Sequence, residues 1–313
     1  MSPSTVLEDK FIGAFIGLSL GDALGAPYEG GFLERILWKF FAKTPTGKMR
    51  WTDDTQMSID LAEIILEKNI VEQNALAYKF ASSYKWSRGY GPAAAKVLKS
   101  IKNGINWEIA NRQTYEEGSL GNGGAMRSPI LALIYSQNHN LLTEEITKAT
   151  QITHAHPLAI EGAVLVGKAV SLALNNIDSI EIIKMVLQDS EAEIFKIKAE
   201  LSLKWLEENL DVSPKDVSKN LGNGIKATDS CITAIYLGLR FRSESFNELI
   251  KFTRKCRGDV DTLCSMSGSI WGAFNGFKNI PKEKFDNLED GKRIKSLAWN
   301  LCKTKIQISE KIN

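Results

Sequence analysis

The chain of 313 residues is patterned for helices along most of its length. Met57, Leu61, Ile64 and Ile65 fall on one face of a 3.6-residue period, as do Ile232, Ile235, Tyr236 and Leu239. The same period groups Ile194, Ile197, Leu201 and Trp205, which predicts a third amphipathic helix with those four turned inward. From Leu158 to Leu174 apolar residues occupy nearly every side, so a buried central helix is expected there. Alternating β-branched patterns are almost absent, and no Asn-Gly turn joins two such runs. No linker, low-complexity stretch or internal repeat breaks the pattern. The prediction is an all-α fold, a single compact multi-helix domain over residues 1–313.

Two glycine series interrupt this picture. Gly13, Gly17, Gly21 and Gly25 recur every four residues, and so do Gly268, Gly272 and Gly276. An interior glycine costs a helix up to about 1 kcal/mol relative to alanine. A stripe of them is tolerable where another helix or a ligand must approach the backbone closely, and close helix packing is the simpler expectation.

Composition narrows the class. Apolar residues make up 43% and charged residues 24%, ordinary values for a globular chain. A formal net charge of +2 gives no support to nucleic-acid binding, and the lysines between Lys278 and Lys284 and between Lys292 and Lys305 read as solvated faces. The apolar run Phe11 to Leu20 is followed by Asp22 and falls short of the roughly 20 residues that span a bilayer. Glu8 and Asp9 precede it where a secretory signal would be basic. Cys231, Cys256, Cys264 and Cys302 form no CxxC pair, which suits reduced, buried thiols. The expectation is a cytoplasmic monomer with neither a membrane nor a nucleic-acid partner.

Chemistry is concentrated in acidic clusters far apart in sequence. Asp22 and Glu29 flank Pro27, which ends the first helix and leaves Glu29 on a loop. Thr52-Asp53-Asp54-Thr55 precedes the helix from Met57, and Asp259-Val260-Asp261-Thr262 precedes another. Threonine and aspartate commonly cap helix starts, but one side chain suffices for a cap. Two clusters of the same form, rich in hard oxygen donors, favour a site for Mg²⁺ or Mn²⁺ over zinc. Up to four carboxylates could hold two ions, which lie about 3.5–4 Å apart in two-metal sites.

The stretch Gly118 to Arg127 is a glycine-rich loop entering a helix, whose backbone N–H groups suit phosphate oxygens. It has neither Walker nor Rossmann spacing, and a tight helix–helix turn explains it equally well. His154 and His156 are two apart and do not share a helix face, so zinc is not expected. His154 either donates to a phosphate oxygen or is a polar residue satisfied at the helix start after Pro157, while His139 lies in a polar turn.

These segments, in order, resemble the ADP-ribosylglycohydrolase family. The resemblance runs from GDALGAPYE at Gly21 through WTDDT at Trp51, RGYG at Arg88, GNGGAMR at Gly121 and THAHP at Thr153. It continues with LGNGI at Leu221 and GDVDT at Gly258, and covers about residues 11–277. RGYG, GNGGAMR and LGNGI look most like the ADP-ribosylhydrolase 3 branch. That branch acts on ADP-ribose linked to serine, on poly(ADP-ribose) and on O-acetyl-ADP-ribose. The resemblance implies an all-α hydrolase with two Mg²⁺ ions and an ADP-ribosylated protein or ADP-ribose derivative as substrate.

By the same resemblance, Thr52, Asp53, Asp54, Asp259, Asp261 and Thr262 look like metal ligands. Glu29 resembles the acid on a flap over the metals and Asp22 a near-site carboxylate; with Asp259 they are the candidate catalytic residues. Gly118, Ser119, Gly121, Asn122 and His154 match positions that hold diphosphate and ribose, Ile225 one beside the ligand, and Tyr115 is a further substrate-binding candidate. Leu120 stands where relatives carry an aromatic that stacks on adenine, and Thr114 and Tyr115 replace a phenylalanine. Arg257 and Val260 replace smaller or polar residues. Rival readings are an arginine-specific N-glycosidic hydrolase of the dinitrogenase reductase-activating type and a catalytically silent relative.

Overall fold

The two glycine stripes meet. In the computed structural model, which describes residues 3–30, 38 and 42–312, the first helix lies against the helix that follows GDVDT. A Cβ added to Gly17 would stand 2.2 Å from the Gly268 carbonyl oxygen, and one on Gly272 would stand 2.0 Å from that of Gly13. No side chain fits between backbones at that distance, so each stripe exists to admit the other. Packing alone accounts for these glycines up to Gly21.

Sixteen α-helices are present among the described residues. The first half comprises α1 (Pro3–Gly25), α2 (Asp53–Lys68), α3 (Gln73–Ser83), α4 (Pro92–Lys102), α5 (Trp107–Ala110), α6 (Ser128–Tyr135), α7 (His139–Gln151) and α8 (Pro157–Leu174). The second comprises α9 (Ser179–Asp189), α10 (Glu193–Glu207), α11 (Pro214–Leu221), α12 (Ala227–Arg240), α13 (Phe246–Cys256), α14 (Val260–Asn275), α15 (Lys282–Asp286) and α16 (Gly291–Ile312). The described residues contain no strand, only isolated bridges such as Gly121 with Lys226. The fold is all-α.

The α1–α14 pair forms the axis. Helices α8 and α12 pack on α14, α16 packs on α1, and α2 lies between α16 and α3. The expected inward faces of α2 and α12 are buried, including Met57, Leu61, Ile64 and Ile65 on α2 and Ile232, Ile235, Tyr236 and Leu239 on α12. The stretch from Thr5 to Tyr28 is also long and apolar enough to cross a membrane, as is α8. However, 89% and 72% of their apolar windows are buried inside the molecule, so core packing accounts for their composition.

Helix α10 turns Leu201 and Trp205 toward the core as its periodicity predicts, but not the two isoleucines. Ile194 and Ile197 are 39% and 51% exposed, while Phe195, Lys198, Ala199, Ser202 and Trp205 are buried. Three neighbours select that face. Trp205 meets Tyr236 edge to face at 5.3 Å, Phe195 lies beside Gly162 of α8, and the Lys198 ammonium donates to the Thr228 carbonyl of α12. With Phe195 and Trp205 buried and Lys198 bonded to a buried carbonyl, the two isoleucines are left outside.

Candidate active site

Asp22 lies in the last turn of α1, and its carboxylate is spent on the start of α2. Both oxygens lie 3.0 Å from the Thr52 N–H, and Oδ2 also accepts from the Thr55 N–H at 3.1 Å and its hydroxyl at 2.5 Å. An anion at a helix N-terminus is favoured by the free N–H groups and the dipole. Burial raises the Asp22 carboxyl to about 6, although the Thr55 and Thr52 donors oppose the rise. Thr52 is the cap of α2, its hydroxyl accepting from the Asp54 N–H at 3.4 Å. With cap and dipole both answered, the carboxylates of Asp53 and Asp54 are free for other work. Asp54 accepts from the Thr262 hydroxyl at 3.3 Å through Oδ1. Its Oδ2 is buried with no hydrogen-bond partner among the described residues.

The second acidic segment is delivered by a tight turn. Arg257 and Gly258 have φ of 60° and 74°, and a Cβ on Gly258 would stand 2.0 Å from the Asn223 carbonyl oxygen. The Asp259 N–H donates to that same oxygen at 2.8 Å, tying LGNGI to GDVDT. Asp259 occupies the cap position of α14, yet its side chain makes no cap bond. Instead its Oδ2 accepts from the Asn122 amide at 2.5 Å. The last glycine of the first stripe serves this site, because a Cβ on Gly25 would stand 2.6 Å from Asp261 Cα.

Glu29 follows a single 3₁₀ turn, Ala26–Tyr28, in which Pro27 ends α1. It comes together with Asp259 and Asp261: one oxygen from each lies within 4.8 Å of the other two, a grouping that could hold a metal ion. Arg254 of α13, which the sequence did not single out, secures this corner. It donates twice to the Leu24 carbonyl, at 3.0 and 2.6 Å, and its guanidinium lies 4.3 Å from the Tyr28 ring centre. Nothing in its sequence surroundings marks that role.

The charges acting on this cluster are mostly of one sign. Burial holds Asp53, Asp54 and Asp261 well above the usual carboxylate range, and the neighbouring carboxylates add to it. Asp259 is also raised by burial, with the Asn122 amide pulling it back. Arg88 of RGYG lies nearby, but both of its terminal nitrogens are engaged. It pairs with both oxygens of Glu289, donates to the Trp51 carbonyl and stacks 3.4 Å from the Trp51 ring. That motif is a brace, with Gly89 passing beside Asp53.

The glycine-rich loop is more committed than its sequence suggests. The N–H of Gly118 donates to Tyr115, that of Gly121 to the Ser119 hydroxyl, and that of Asn122 to the Ile225 carbonyl. Those three backbone donors are satisfied internally, which favours the tight-turn reading at those positions. Gly118 (φ 88°) lies against the Ala155–His156 backbone, and a Cβ on Gly123 would stand 2.4 Å from the His154 ring. His156, through Nδ1, caps α8; His154 faces the loop and is buried. Burial, and then the Arg127 charge, lower its pKa to about 3. Tyr115 and Ile225 are 53% and 69% exposed.

The chain as a whole is similar to known proteins. The family model described as ADP-ribosylglycohydrolase matches residues 3–309. ADP-ribosylhydrolase ARH3 of Mus musculus is 32% identical over 93% of this chain and 90% of its own length. The Homo sapiens ARH3 is likewise 32% identical, over 93% and 92%. A solved structure, an ADP-ribosylglycohydrolase-related protein complex, superposes with a TM-score of 0.71 at 22% identity, covering 96% of this chain and 99% of that one, and so shares the fold. With the family pattern spanning nearly the whole chain and the acidic segments gathered at two helix starts, this chain belongs to the ADP-ribosylglycohydrolase family.

Proposed function

We propose that this hydrolase is Mg²⁺-dependent and cleaves the O-glycosidic bond between ADP-ribose and serine, with poly(ADP-ribose) and O-acetyl-ADP-ribose as further substrates. The observation that carries the metal reading is the buried Asp54 Oδ2, which makes no hydrogen bond among the described residues and lies beside carboxylates whose pKa burial and mutual repulsion raise. A carboxylate cluster of this kind suits a hard divalent cation. Thr52, Asp53, Asp54, Asp259, Asp261 and Thr262 would hold two Mg²⁺ ions, for which Mn²⁺ could substitute. Bound there, the ions supply Lewis acidity and a water of lowered pKa.

The chain's own residues do the rest. Glu29 is half-buried at the open side of the cluster, so its carboxylate is suited to take a proton from the attacking water. Asp22 acts as a positioning residue, since its oxygens are engaged by Thr52 and Thr55. Asn122 orients Asp259, while Ser119 and His154 offer side-chain donors to the diphosphate beside Gly118 and Gly121. Tyr115 and Ile225 are exposed enough to cover the adenosine end. The resemblance of RGYG, GNGGAMR and LGNGI to the ADP-ribosylhydrolase 3 branch supports the serine linkage. The test is kcat/KM on two peptides that differ only in the modified residue, with EDTA as the second arm. Serine should be preferred and EDTA should abolish turnover. A tenfold preference for arginine overturns the linkage, and full activity in metal-free protein overturns the Mg²⁺ reading.

A further inference from the structure

Arg127 is a fully buried cation whose hydrogen-bond partners include no carboxylate. Its Nη1 donates to the Gly123 carbonyl at 2.8 Å and approaches the Met57 sulfur at 3.6 Å. Its Nη2 donates to the Ala149 carbonyl and to the Thr153 hydroxyl oxygen, each at 2.8 Å. The guanidinium carbon lies 4.9 Å from the Phe80 ring centre. Burying a guanidinium without a counter-ion is expensive, and carbonyl dipoles offset only part of that cost. A charge held there behind a glycine-rich loop calls for a reason beyond packing.

The reason lies one bond further on. Thr153 Oγ1 is 2.8 Å from His154 Nδ1. A hydroxyl has one hydrogen and two lone pairs. One lone pair is taken by Arg127, which leaves two arrangements for the contact with the ring. If Nδ1–H donated to Oγ1, the threonine hydrogen would be left buried with no acceptor in reach of its bonded partners. If the threonine donates to Nδ1, both the hydroxyl hydrogen and the ring nitrogen are satisfied, and the adjacent guanidinium polarises the hydroxyl into a stronger donor. The ring proton then resides on Nε2. That atom faces the loop: an ideal Cβ on Gly121 would lie 3.0 Å from Nε2 and 3.3 Å from Ser119 Oγ, so both donors converge on a spot that only glycine leaves open. A hydrogen bond on one imidazole nitrogen sets what the other can do.

The geometry points to Arg127 and Thr153 as positioning residues that fix His154 with its proton on Nε2, so that the loop presents donors alone to an anionic diphosphate. The inference rests on the ADP-ribosyl reading above and deepens it. Without the relay the ring is free to turn a lone pair toward the phosphates, which repels them.

The test begins with the wild-type protein labelled with ¹⁵N-histidine, the His154 signals being identified by their loss in His154→Ala. Near neutral pH, Nε2 should show the protonated and Nδ1 the unprotonated ¹⁵N shift, before and after ADP-ribose is added. Thr153→Val should give a mixture of the two forms or the reverse one. It should raise the Kd for ADP-ribose and the KM about tenfold while kcat stays within about twofold; Thr153→Ser should restore both spectrum and affinity. A wild-type ring protonated on Nδ1, or doubly protonated, overturns the inference, and this arm stands even if Thr153→Val does not fold. So does a Thr153→Val protein with the wild-type spectrum and affinity. A wild-type protein that binds no ADP-ribose sinks the functional reading itself, whichever nitrogen carries the proton.

Discussion

Asp22 and Glu29 lie on the two sides of Pro27 and reach the same site, but they do different work. Asp22 is turned wholly toward the protein, with both oxygens on the start of α2. Asp22→Asn keeps the shape and turns an NH₂ toward N–H donors that need an acceptor. Because partners that orient metal ligands are typically worth about 10–100-fold in metal affinity, the Mg²⁺ affinity should fall by that factor. Calorimetric titration of the variant reads it directly, and an unchanged affinity would remove Asp22 from the site's support. Glu29 is half-buried and close to Asp259 and Asp261. If it moves a proton, Glu29→Gln should lower kcat by about 10²–10⁴-fold, the usual worth of general acid–base help, and leave the Kd for ADP-ribose within a few fold. Lost binding with retained turnover would assign it to holding substrate instead.

Among the helices, the α1–α14 pair does more than fill the core, because its register decides where GDVDT stands relative to Asp22. The two backbones touch at Gly17 and Gly268, and four residues later in α1 Gly21 touches Cys264, just inside the start of α14. Adding one methyl at Gly17 would push against a carbonyl 2.2 Å away that is itself part of a helix and cannot rotate aside. Gly17→Ala should therefore cost about 3 kcal/mol or more, the upper range for overpacking a core, and also reduce activity. Gly91→Ala is the control: its Cβ meets nothing within 4 Å, its φ is −56°, and replacing glycine at that cap position should cost no more than about 1 kcal/mol. Urea unfolding of both variants gives the comparison. Equal midpoints would mean that the helices can separate at little cost.

At the scale of the molecule the acidic cluster links stability, pH and metal. In metal-free protein the folded-state pKa values of Asp53, Asp54, Asp259 and Asp261 all lie above the reference value of 3.8, burial being the first cause. The folded chain thus binds more protons than the unfolded one once pH exceeds that reference. The stabilising contribution is complete below the unfolded pKa and is lost as pH rises through the folded values. In EDTA, Tm should fall as pH is raised from about 5 to about 8. A divalent cation takes the ionised form, so added Mg²⁺ should raise Tm by mass action on the folded state, and by more at pH 8 than at pH 5. A Tm at pH 8 that ignores Mg²⁺ would count against a metal at this cluster.

Much of this was legible in the residue pattern alone. Local periodicity predicts the inward faces of α2 and α12, since apolar burial is the force that orients any amphipathic helix, and the buried α8 follows from its near-continuous apolar stretch. The glycine stripes signal a close approach because a helix bears their cost only for a neighbour's backbone. The paired aspartates at two helix starts exceed what capping needs. Other features depend on partners far apart in sequence, and no local pattern encodes those. Phe195, Lys198 and Trp205 find partners on α8 and α12, and Ile194 and Ile197 are left exposed. Thr52 and Asp22 together relieve Asp53 and Asp54 of capping, across a separation of 30 residues. Arg88, read as a marker of substrate preference, proves to be bound to Glu289, 201 residues away. Three of the loop's backbone N–H groups, those of Gly118, Gly121 and Asn122, are taken by Tyr115, Ser119 and Ile225, and Arg254 and Arg127 find their carbonyls only once α1, α7 and α13 are in place. Side-chain type announces which chemistry is available; whether a given donor or carboxylate is free to perform it is decided by what the fold packs against it.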